Sequence, residues 1–566
     1  MSKLYRNIIL SALLITTLTS TAKPAYRGII EREQADGTKV QVLMHGDEHF
    51  HYTTDLRGNR IKSVDGKFVK AETLTDEQIA IRRQMSKYNI AQQNQEAQGA
   101  YLAPRGLVIL ANFSDVKFKP ENNQAAFDSL MNVRGYTYNG VTNSVRDYFI
   151  DQSHGSYNPQ FDVFGPVEVN HTMAYYGEND SYDNDKNAEQ LIADACKAAK
   201  KAYNIDFSEY DNDGDNYVDF VFVFYAGYGE ADGADSKTIW QHMYNLQTSG
   251  GITCTIDGKT IDLYACGSEL AYQNRDKTDN PRDGISTCCH EFSHVCGLPD
   301  MYLTSDYSTA YTLGMWDLMD NGTANNNGWT PPAYSAYEKF FCGWLTPTLL
   351  NSAADIVLPE QNRTKAAAII TTTGQHNLDG IKPSPTTFYL LENRQQSGWD
   401  EYLPGHGLLI TKITYNKQAW DYNMVNSGNK QRIAIQPADG KLSELGDGGD
   451  TYPGTKGITT YTGVTQFPIT DITETDGVIR FKVLGGGEEI TLNTTKNIED
   501  KPFDIRTTNY GLIVSNVIEG ADIQVYDING KHICTQKAQP VETTIPIIQQ
   551  GIYIVSIGTT AKTIVF

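Results

Sequence analysis

Cysteine is scarce in this chain, as are long apolar runs, and basic residues are outnumbered by acidic ones. Eight cysteines in 566 residues are too few for a disulfide scaffold, although an exported protein can carry one or two bridges. No stretch approaches 18 uninterrupted apolar residues, so we expect no transmembrane anchor. The net charge of -21 would repel phosphate backbones and anionic lipids, so neither nucleic acid nor a membrane surface is an expected partner.

The first 22 residues have the pattern of a secretory signal peptide. Lys3 and Arg6 precede an apolar run at 8–15, and residues 20–22 are small, as a cleavage site requires. No cysteine follows the run as a lipid acceptor. The sequence therefore predicts a protein that is secreted or displayed at the cell surface.

The remaining chain is longer than one hydrophobic core usually organises, so we expect several domains. Strand-like runs at 106–113 and 217–225 alternate with helical patterns at 143–151 and 187–202, which predicts an α+β domain with a sheet. A polar helical stretch at 75–98 precedes that domain as an exposed linker. From about residue 348 short β-rich runs alternate with turn residues, which predicts all-β modules resembling β-sandwiches.

The segment His290-Glu291-Phe292-Ser293-His294 is the most informative in the chain. On an α-helix, positions i and i+4 share a face, so His290 and His294 can bind one metal while Glu291 projects beside it. A catalytic zinc ion also needs a third protein ligand and an open position for water. Zinc acidifies that water, and Glu291 is the expected general base of peptide hydrolysis.

Asp300 is the candidate third ligand. Gly297 can take a left-handed conformation at the end of the helix and turn the chain so that Asp300 reaches the same ion. His242 and Glu338 remain rivals, because folding could bring either to the metal. Downstream, Met319 lies in a tight-turn sequence and could form an apolar floor under the zinc.

These motifs resemble the immune inhibitor A family of metzincin-type metallopeptidases, peptidase family M6. Further similar stretches lie at 143–149, 211–219, 239–242 and 336–344, and the resemblance covers roughly residues 25 to 480. It implies His290, His294 and Asp300 as zinc ligands, Glu291 as general base and Met319 as the Met-turn residue. Many metzincins of other families have histidine where this chain has Asp300.

The resemblance and the changes of pattern together predict five segments. They are a signal peptide at 1–22, a propeptide at 23–100, a zinc metallopeptidase domain at 101–347, a β-rich accessory domain at 348–488 and a C-terminal module at 489–566. The last resembles the sorting domains of type IX secretion systems, which implies recognition by secretion machinery; a plain β-sandwich is the alternative. Residues 1–100 contain no cysteine, so a thiolate cannot block the zinc of a precursor.

A second metal site is predicted in an acidic loop. Asp211, Asp213, Asp215 and Asp219 fall at positions 1, 3, 5 and 9, a spacing that converges oxygen ligands on calcium. The loop is not an EF-hand, because it lacks the glycine at position 6 and the glutamate at position 12. An acidic surface turn is the alternative.

Two weaker signals remain open. Cys254 and Cys266 flank a hairpin-like segment and could form a disulfide or remain buried thiols. The isolated histidines are expected to have hydrogen-bonded structural roles; they are His154, His171, His242 and His406.

The sequence as a whole favours a secreted zinc endopeptidase that hydrolyses proteins or peptides, with calcium as a stabiliser. The competing hypothesis is a surface adhesin or binding protein whose peptidase domain is inactive. Glu291 argues against that alternative, because a decayed site has no chemical need for a general base.

Overall fold

A computed structural model describes most of the chain, in two compact units at residues 1–494 and 495–566. The described ranges of the first unit are 21–26, 28–47, 50–64, 67–72, 104–180, 184–247, 251–271, 280–303, 311–421, 423–427, 430–441, 443 and 445–492. Those of the second are 504–508, 511–515, 517, 521–527, 531–539, 542–546, 551–557 and 560–565. The predicted signal peptide up to residue 20 and the predicted polar helix at 75–98 lie outside the described residues.

A six-stranded mixed sheet forms the centre of the first unit. Across the sheet the strands are Thr21–Ala22, His242–Asn245, Leu263–Leu270, Val221–Tyr228, Arg105–Asn112 and Gln160–Glu168. The last four of these strands run parallel to one another. The strand His242–Asn245, here called the edge strand, is antiparallel to its neighbour Leu263–Leu270.

The two apolar runs identified in the sequence become neighbouring central strands. Arg105–Asn112 coincides with the predicted strand, and both it and Val221–Tyr228 are buried on both faces, as their continuous apolar sequences require. The second strand begins at Val221 rather than at Tyr217. The preceding Val218 and Asp219 instead donate backbone hydrogen bonds to Thr260 and Tyr210, which lie outside the neighbouring strands of the sheet.

Helices pack beside the central sheet. The predicted helices at 143–151 and 187–202 are present as Val145–Gln152 and Ala188–Tyr203. The first begins with a capping box in which Ser144 and Asp147 bind each other's backbone N–H groups. The other helices and 3-10 turns of this region are Gln124–Asn132, Met173–Gly177, Phe207–Tyr210, Ser286–Val295, Gly314–Trp316, Asn321–Gly328 and Ala336–Phe341.

An antiparallel sheet near the N-terminus precedes the central sheet in the chain. Its strands follow one another in sequence order: Ile30–Glu33, Lys39–Asp47, Phe50–Asp55, Arg60–Val64 and Lys67–Lys70. Ile30, Val42 and Met44 pack with Ala231 and Trp240 in one small core. This N-terminal sheet is thereby fixed to the loop and strand that flank the central sheet's edge.

The β-rich region shares its core with the central part of the first unit. A five-stranded sheet is ordered Thr348–Leu349, Ala367–Ile370, Thr387–Arg394, Gly407–Thr414 and Ile433–Ile435. Side chains alternate along its strands, so Ile369 joins the large central core while Ile370 faces a second core. The second core is closed by a sheet ordered Ile469–Thr475, Val478–Val483, Ala354–Leu358 and Glu488–Thr491.

Shorter elements complete the first unit. They are the hairpins Cys254–Ile256 with Lys259–Ile261 and Asn426–Ser427 with Lys430–Gln431, and the short helices Gln361–Thr364, Gly398–Asp400 and Lys417–Asp421. Cys254 and Cys266 are both buried free thiols, so the structure contains no bridge between them.

The second unit consists of strands. One sheet is ordered Asp504–Thr508, Gly511–Ser515 and Glu542–Pro546, and the other His532–Lys537, Asp522–Asp527, Ile552–Ile557 and Thr560–Val565. Leu512, Ile545, Val525 and Val555 from the two sheets form one apolar core. Within the described part of the whole chain, no helix is long and apolar enough to span a membrane.

Candidate active site and metal centre

The helix Ser286–Val295, here called the active-site helix, places three polar side chains in the interior of the first unit. His290, Glu291 and His294 are at most 1% exposed. The helix ends where Gly297 adopts a φ of +87°, and Gly297 and Leu298 donate backbone hydrogen bonds to His294 and Ser293. The predicted left-handed turn at Gly297 is confirmed. A side chain there would find ordinary space beside Phe341, so the backbone conformation is what favours glycine.

This turn carries Asp300 to the two histidines. The Oδ1 atom of Asp300 lies 3.3 Å from His290 Nε2 and 3.5 Å from His294 Nε2. The two Nε2 atoms are 3.2 Å apart. All three side chains are buried, and they form a group whose ligand atoms converge on one point.

The protonation of the histidines can be read from their other ring nitrogens. Nδ1 of His290 lies 2.9 Å from the Leu318 carbonyl, and Nδ1 of His294 lies 2.7 Å from the Leu298 carbonyl. A carbonyl only accepts, so each Nδ1 carries a hydrogen and donates it, which leaves Nε2 as the ring atom that can bind a metal. Burial, with His290 nearby, lowers the pKa of His294 well below its ordinary value. Two Nε2 atoms and a carboxylate so close together form a set of ligands that suits a cation.

Zinc fits this group by donor type and by spacing. Ligands about 2.0–2.1 Å from a tetrahedral ion are separated from one another by about 3.3–3.4 Å. The three measured separations, 3.2, 3.3 and 3.5 Å, bracket that value. Two imidazoles and one carboxylate are also a donor set that zinc accepts in catalytic sites.

Asn423, which no sequence motif singles out, fixes the orientation of Asp300. Its Nδ2 donates to Asp300 Oδ2 at 2.6 Å, and its Oδ1 accepts from the Asp300 backbone N–H at 2.6 Å. Asn423 itself is 4% exposed. The amide comes from the β-rich region, more than a hundred residues along the chain, so no local pattern could have revealed this contact.

Met319 lies in a loop that contacts the active-site helix and the chain segment after Asp300. Its carbonyl accepts a hydrogen bond of 2.7 Å from the Met301 N–H, just after Asp300. The adjacent Leu318 supplies the carbonyl that orients His290. Met319 is fully buried, and the loop thus holds both the metal-binding helix and the chain segment that follows it.

The two rival ligands lie outside the group. Nδ1 of His242 lies 2.6 Å from the Trp240 carbonyl, and its Nε2 is 2.8 Å from the Tyr264 hydroxyl. Glu338 accepts from Ser335 in the capping box of the helix Ala336–Phe341. The structure therefore brings Asp300, and neither of these residues, to His290 and His294.

A segment from the N-terminal part of the chain lies along the edge strand. Thr21–Ala22 pairs antiparallel with it, in register with Met243 and His242. Beyond this pair the Lys23 carbonyl accepts from Trp240 Nε1 at 3.1 Å, and Tyr26 N–H donates to the Ala231 carbonyl at 2.8 Å. An extended peptide that binds at a sheet edge makes the same kind of backbone pairing.

The acidic loop is only partly assembled. Ligand oxygens of Asp211, Asp213 and Asp215 lie within 4.8 Å of one another. Asp219, the fourth predicted residue, accepts from the Asn212 backbone N–H at 3.1 Å and is not part of this group. The Lys259 ammonium pairs with Asp211 at 2.6 Å, so one carboxylate already has a positive partner.

Known proteins resemble the part of the chain that contains His290, His294 and Asp300. Residues 94–344 match the family described as immune inhibitor A peptidase M6, catalytic domain. The pre-pro-metalloprotease PrtV of Vibrio cholerae serotype O1, from strain M66-2 and from strain ATCC 39315 / El Tor Inaba N16961, is 26% identical over 316 residues. The alignment covers 49% of this chain and 33% of the relative, so the chain spans about a third of the length of these relatives. The matches support a metallopeptidase of family M6.

Proposed function

We propose that the chain is a secreted zinc-dependent endopeptidase that hydrolyses extracellular proteins and is made as a latent precursor. The observation that carries this proposal is the buried convergence of His290, His294 and Asp300 beside Glu291. It lies within the segment that matches the peptidase family. The proposed fold of this segment is metzincin-like, with Met319 in the Met turn, and the modules that follow are all-β.

In the proposed mechanism the metal ligands and the base have separate roles. His290, His294 and Asp300 would hold zinc, which would supply Lewis acidity at the scissile peptide bond. Glu291 accepts the proton from the attacking water on its carboxylate and passes it to the leaving amine. The hydrogen bonds from Nδ1 of both histidines to backbone carbonyls keep Nε2 available for the metal.

Latency follows in this proposal from the N-terminal segment on the edge strand. Thr21–Ala22 would leave with the signal peptide, so the contacts of the propeptide begin at the Lys23 carbonyl, which accepts from Trp240, and continue at the Tyr26 N–H, which donates to Ala231. An extended substrate that binds beside the edge strand would compete with this segment. Cleavage in the predicted linker at 96–105, most of which lies outside the described residues, would release it. The name of the Vibrio relative, a pre-pro-metalloprotease, is consistent with a signal peptide and a propeptide.

Two further parts of the proposal concern export and stability. The predicted signal peptide at 1–22 would direct export, and the C-terminal module would be recognised by secretion machinery. Calcium would bind Asp211, Asp213 and Asp215, because three carboxylates so close together repel one another without a cation.

The test compares the hydrolysis of casein by two preparations of the protein. One is the purified precursor, and the other is the processed form that begins near Leu102. The proposal requires the processed form alone to cleave rapidly, to lose activity with a zinc chelator and to regain it with added zinc. An adhesin with an inactive peptidase domain would leave casein intact in every preparation. Equal cleavage by precursor and processed form would contradict the latency.

A further inference from the structure

A cavity of about 230 Å³ lies beside the active site. Lys23 of the N-terminal segment, Asp232 of the loop after Val221–Tyr228 and Asp283 just before the active-site helix contribute to its wall. The 3-10 helix Asn321–Gly328 closes another side through Thr323 and neighbouring residues. Leu445 of the β-rich region also contributes to the wall, so the cavity is formed by the N-terminal segment, the predicted peptidase domain and one residue of the β-rich region.

The Lys23 side chain brings a positive charge to the wall of this cavity. Its residue is 9% exposed, and its ammonium pairs with Oδ1 of Asp232. The other oxygen of Asp232 accepts from Gln241 Nε2 at 2.6 Å, which fixes the carboxylate in place. Burial alone lowers the pKa of Lys23, but the negative charges of Asp232, Asp283 and Glu291 outweigh it and the pKa lies above its ordinary value.

Asp283 is a second buried carboxylate on the same wall. It is 8% exposed, and its Oδ1 accepts from the Gly284 N–H at 2.8 Å. Burial raises the pKa of Asp283 to about 7, and the Lys23 ammonium opposes that rise. A buried carboxylate is costly without a positive partner, so removal of Lys23 leaves two carboxylates facing a cavity that suits another cation.

The backbone around Lys23 follows the course of a bound peptide. The Lys23 carbonyl accepts from Trp240 Nε1, and the Tyr26 N–H donates to the Ala231 carbonyl, so the segment from Lys23 onward follows the chain on either side of the edge strand's start. The charge of Glu291 also reaches the Lys23 ammonium, which places the cavity within the field of the proposed general base. A substrate side chain at the same point of an extended peptide would enter the same cavity.

We propose that Asp232 and Asp283 form a substrate subsite that selects a lysine or arginine side chain, and that Lys23 supplies the positive partner of these carboxylates in the precursor. The inference rests on the proposed peptidase function and adds the chemical class of substrate. Both aspartates are specificity-determining residues, separate from the metal-binding group and from the general base.

The experiment uses the full chain, processed and loaded with zinc. Cleavage sites in casein are first mapped by mass spectrometry to find the position at which basic residues are enriched. Two peptides are then made that differ only there, one with lysine and one with norleucine, which has a similar shape but no charge. We expect kcat/KM to be at least about tenfold higher for the lysine peptide.

Three variants test the assignment. Asp232→Asn and Asp283→Asn keep the local hydrogen-bond acceptors and should bring the ratio of the two kcat/KM values close to one, chiefly by slowing cleavage of the lysine peptide. Asp232→Glu should retain part of the preference. Asp235→Asn is the matched control, since Asp235 lies three residues away in the same loop and is exposed; the preference should be unchanged.

The possible outcomes distinguish a failure of the proposed subsite from a failure of the proposed peptidase activity. If the processed wild type cleaves casein but cuts the lysine and norleucine peptides equally, the subsite is wrong and the peptidase stands. If a preference exists but survives in both asparagine variants, it arises elsewhere and the assignment is again wrong. If zinc-loaded, processed protein cleaves neither casein nor peptides, both proposals fall.

Discussion

Removal of the Asn423 amide should weaken zinc binding although Asn423 does not face the metal. The informative variant is Asn423→Gly, because Asn423 has a φ of +48° and glycine tolerates that conformation where alanine would be strained. The substitution deletes two hydrogen bonds of 2.6 Å, one to the Asp300 carboxylate and one from its backbone N–H. Asp300 would then sample orientations that turn Oδ1 away from the histidines.

The expected loss of zinc affinity in Asn423→Gly follows from the behaviour of other metal sites. Loss of a residue that orients a metal ligand typically weakens metal binding by about 10- to 100-fold, or about 1.4 to 2.8 kcal/mol. In the folded protein the bond to the charged carboxylate contributes about 1.5 to 3 kcal/mol and the bond between the two neutral groups about 0.5 to 1.5 kcal/mol. Both hydrogen bonds are present in the metal-free and in the zinc-bound protein, so most of their energy cancels in the zinc affinity. Only the energy needed to hold Asp300 in its metal-binding orientation contributes to that affinity.

The assay is competition for zinc between the protein and a chelator of known affinity. Asn204→Gly is the control, because Asn204 also has a left-handed conformation, with a φ of +52°, but caps the exposed end of the helix Ala188–Tyr203. Asn423→Asp, which replaces a donor with a charge beside Asp300, should weaken binding further. If Asn423→Gly binds zinc as tightly as the Asn204→Gly control, the proposed role of Asn423 is refuted.

Four further predictions concern the base, the third ligand, a buried carboxyl group and the acidic loop. Glu291→Gln should lower casein hydrolysis by about 10²- to 10⁴-fold while metal analysis still finds one zinc per chain; substantial activity would refute its role as base. Asp300→Ala should lose zinc to dilute chelator, and Asp300→His should recover part of the affinity with a shifted pH optimum. Because burial raises the pKa of Asp283 from 3.8 to about 7, the folded protein binds the extra proton between these values and loses stability as pH rises through them. Asp283→Asn should therefore raise the melting temperature relative to wild type at pH 8 and change it little at pH 4. A calcium-selective chelator should lower the melting temperature of wild type but not of Asp213→Asn; equal melting with and without calcium would count against the site.

Sequence predicts the part of the site that one helical turn encodes. His290, Glu291 and His294 have a fixed spacing on any α-helix, so their common location follows from the 3.6-residue period. Asp300 follows from a local conformation, because Gly297 reverses the chain only three residues before it. Both predictions needed no knowledge of the rest of the fold.

Other contacts depend on tertiary packing and have no sequence signal. Asn423 reaches Asp300 from the β-rich region, and Lys23 reaches Asp232 from the opposite end of the first unit. Each is an ordinary residue in its own local sequence. The start of the central strand at Val221 was also missed, because the hydrogen bonds of the preceding residues to Thr260 and Tyr210 were not visible in an apolar run.

The buried guanidinium of Arg394 ties the β-rich region to the segments around the candidate metal site. It donates to the carbonyls of Trp316 and Ala333 at 3.0 and 3.1 Å and forms two hydrogen bonds with Asp400. The stretch that matches the peptidase family ends at residue 344, before both this arginine and Asn423. A shortened protein cut at that boundary would keep the recognisable motif but lose a clamp on the Met319 loop and the holder of Asp300. Transplanting the proposed catalytic site to another protein would therefore require carrying the β-rich region with it.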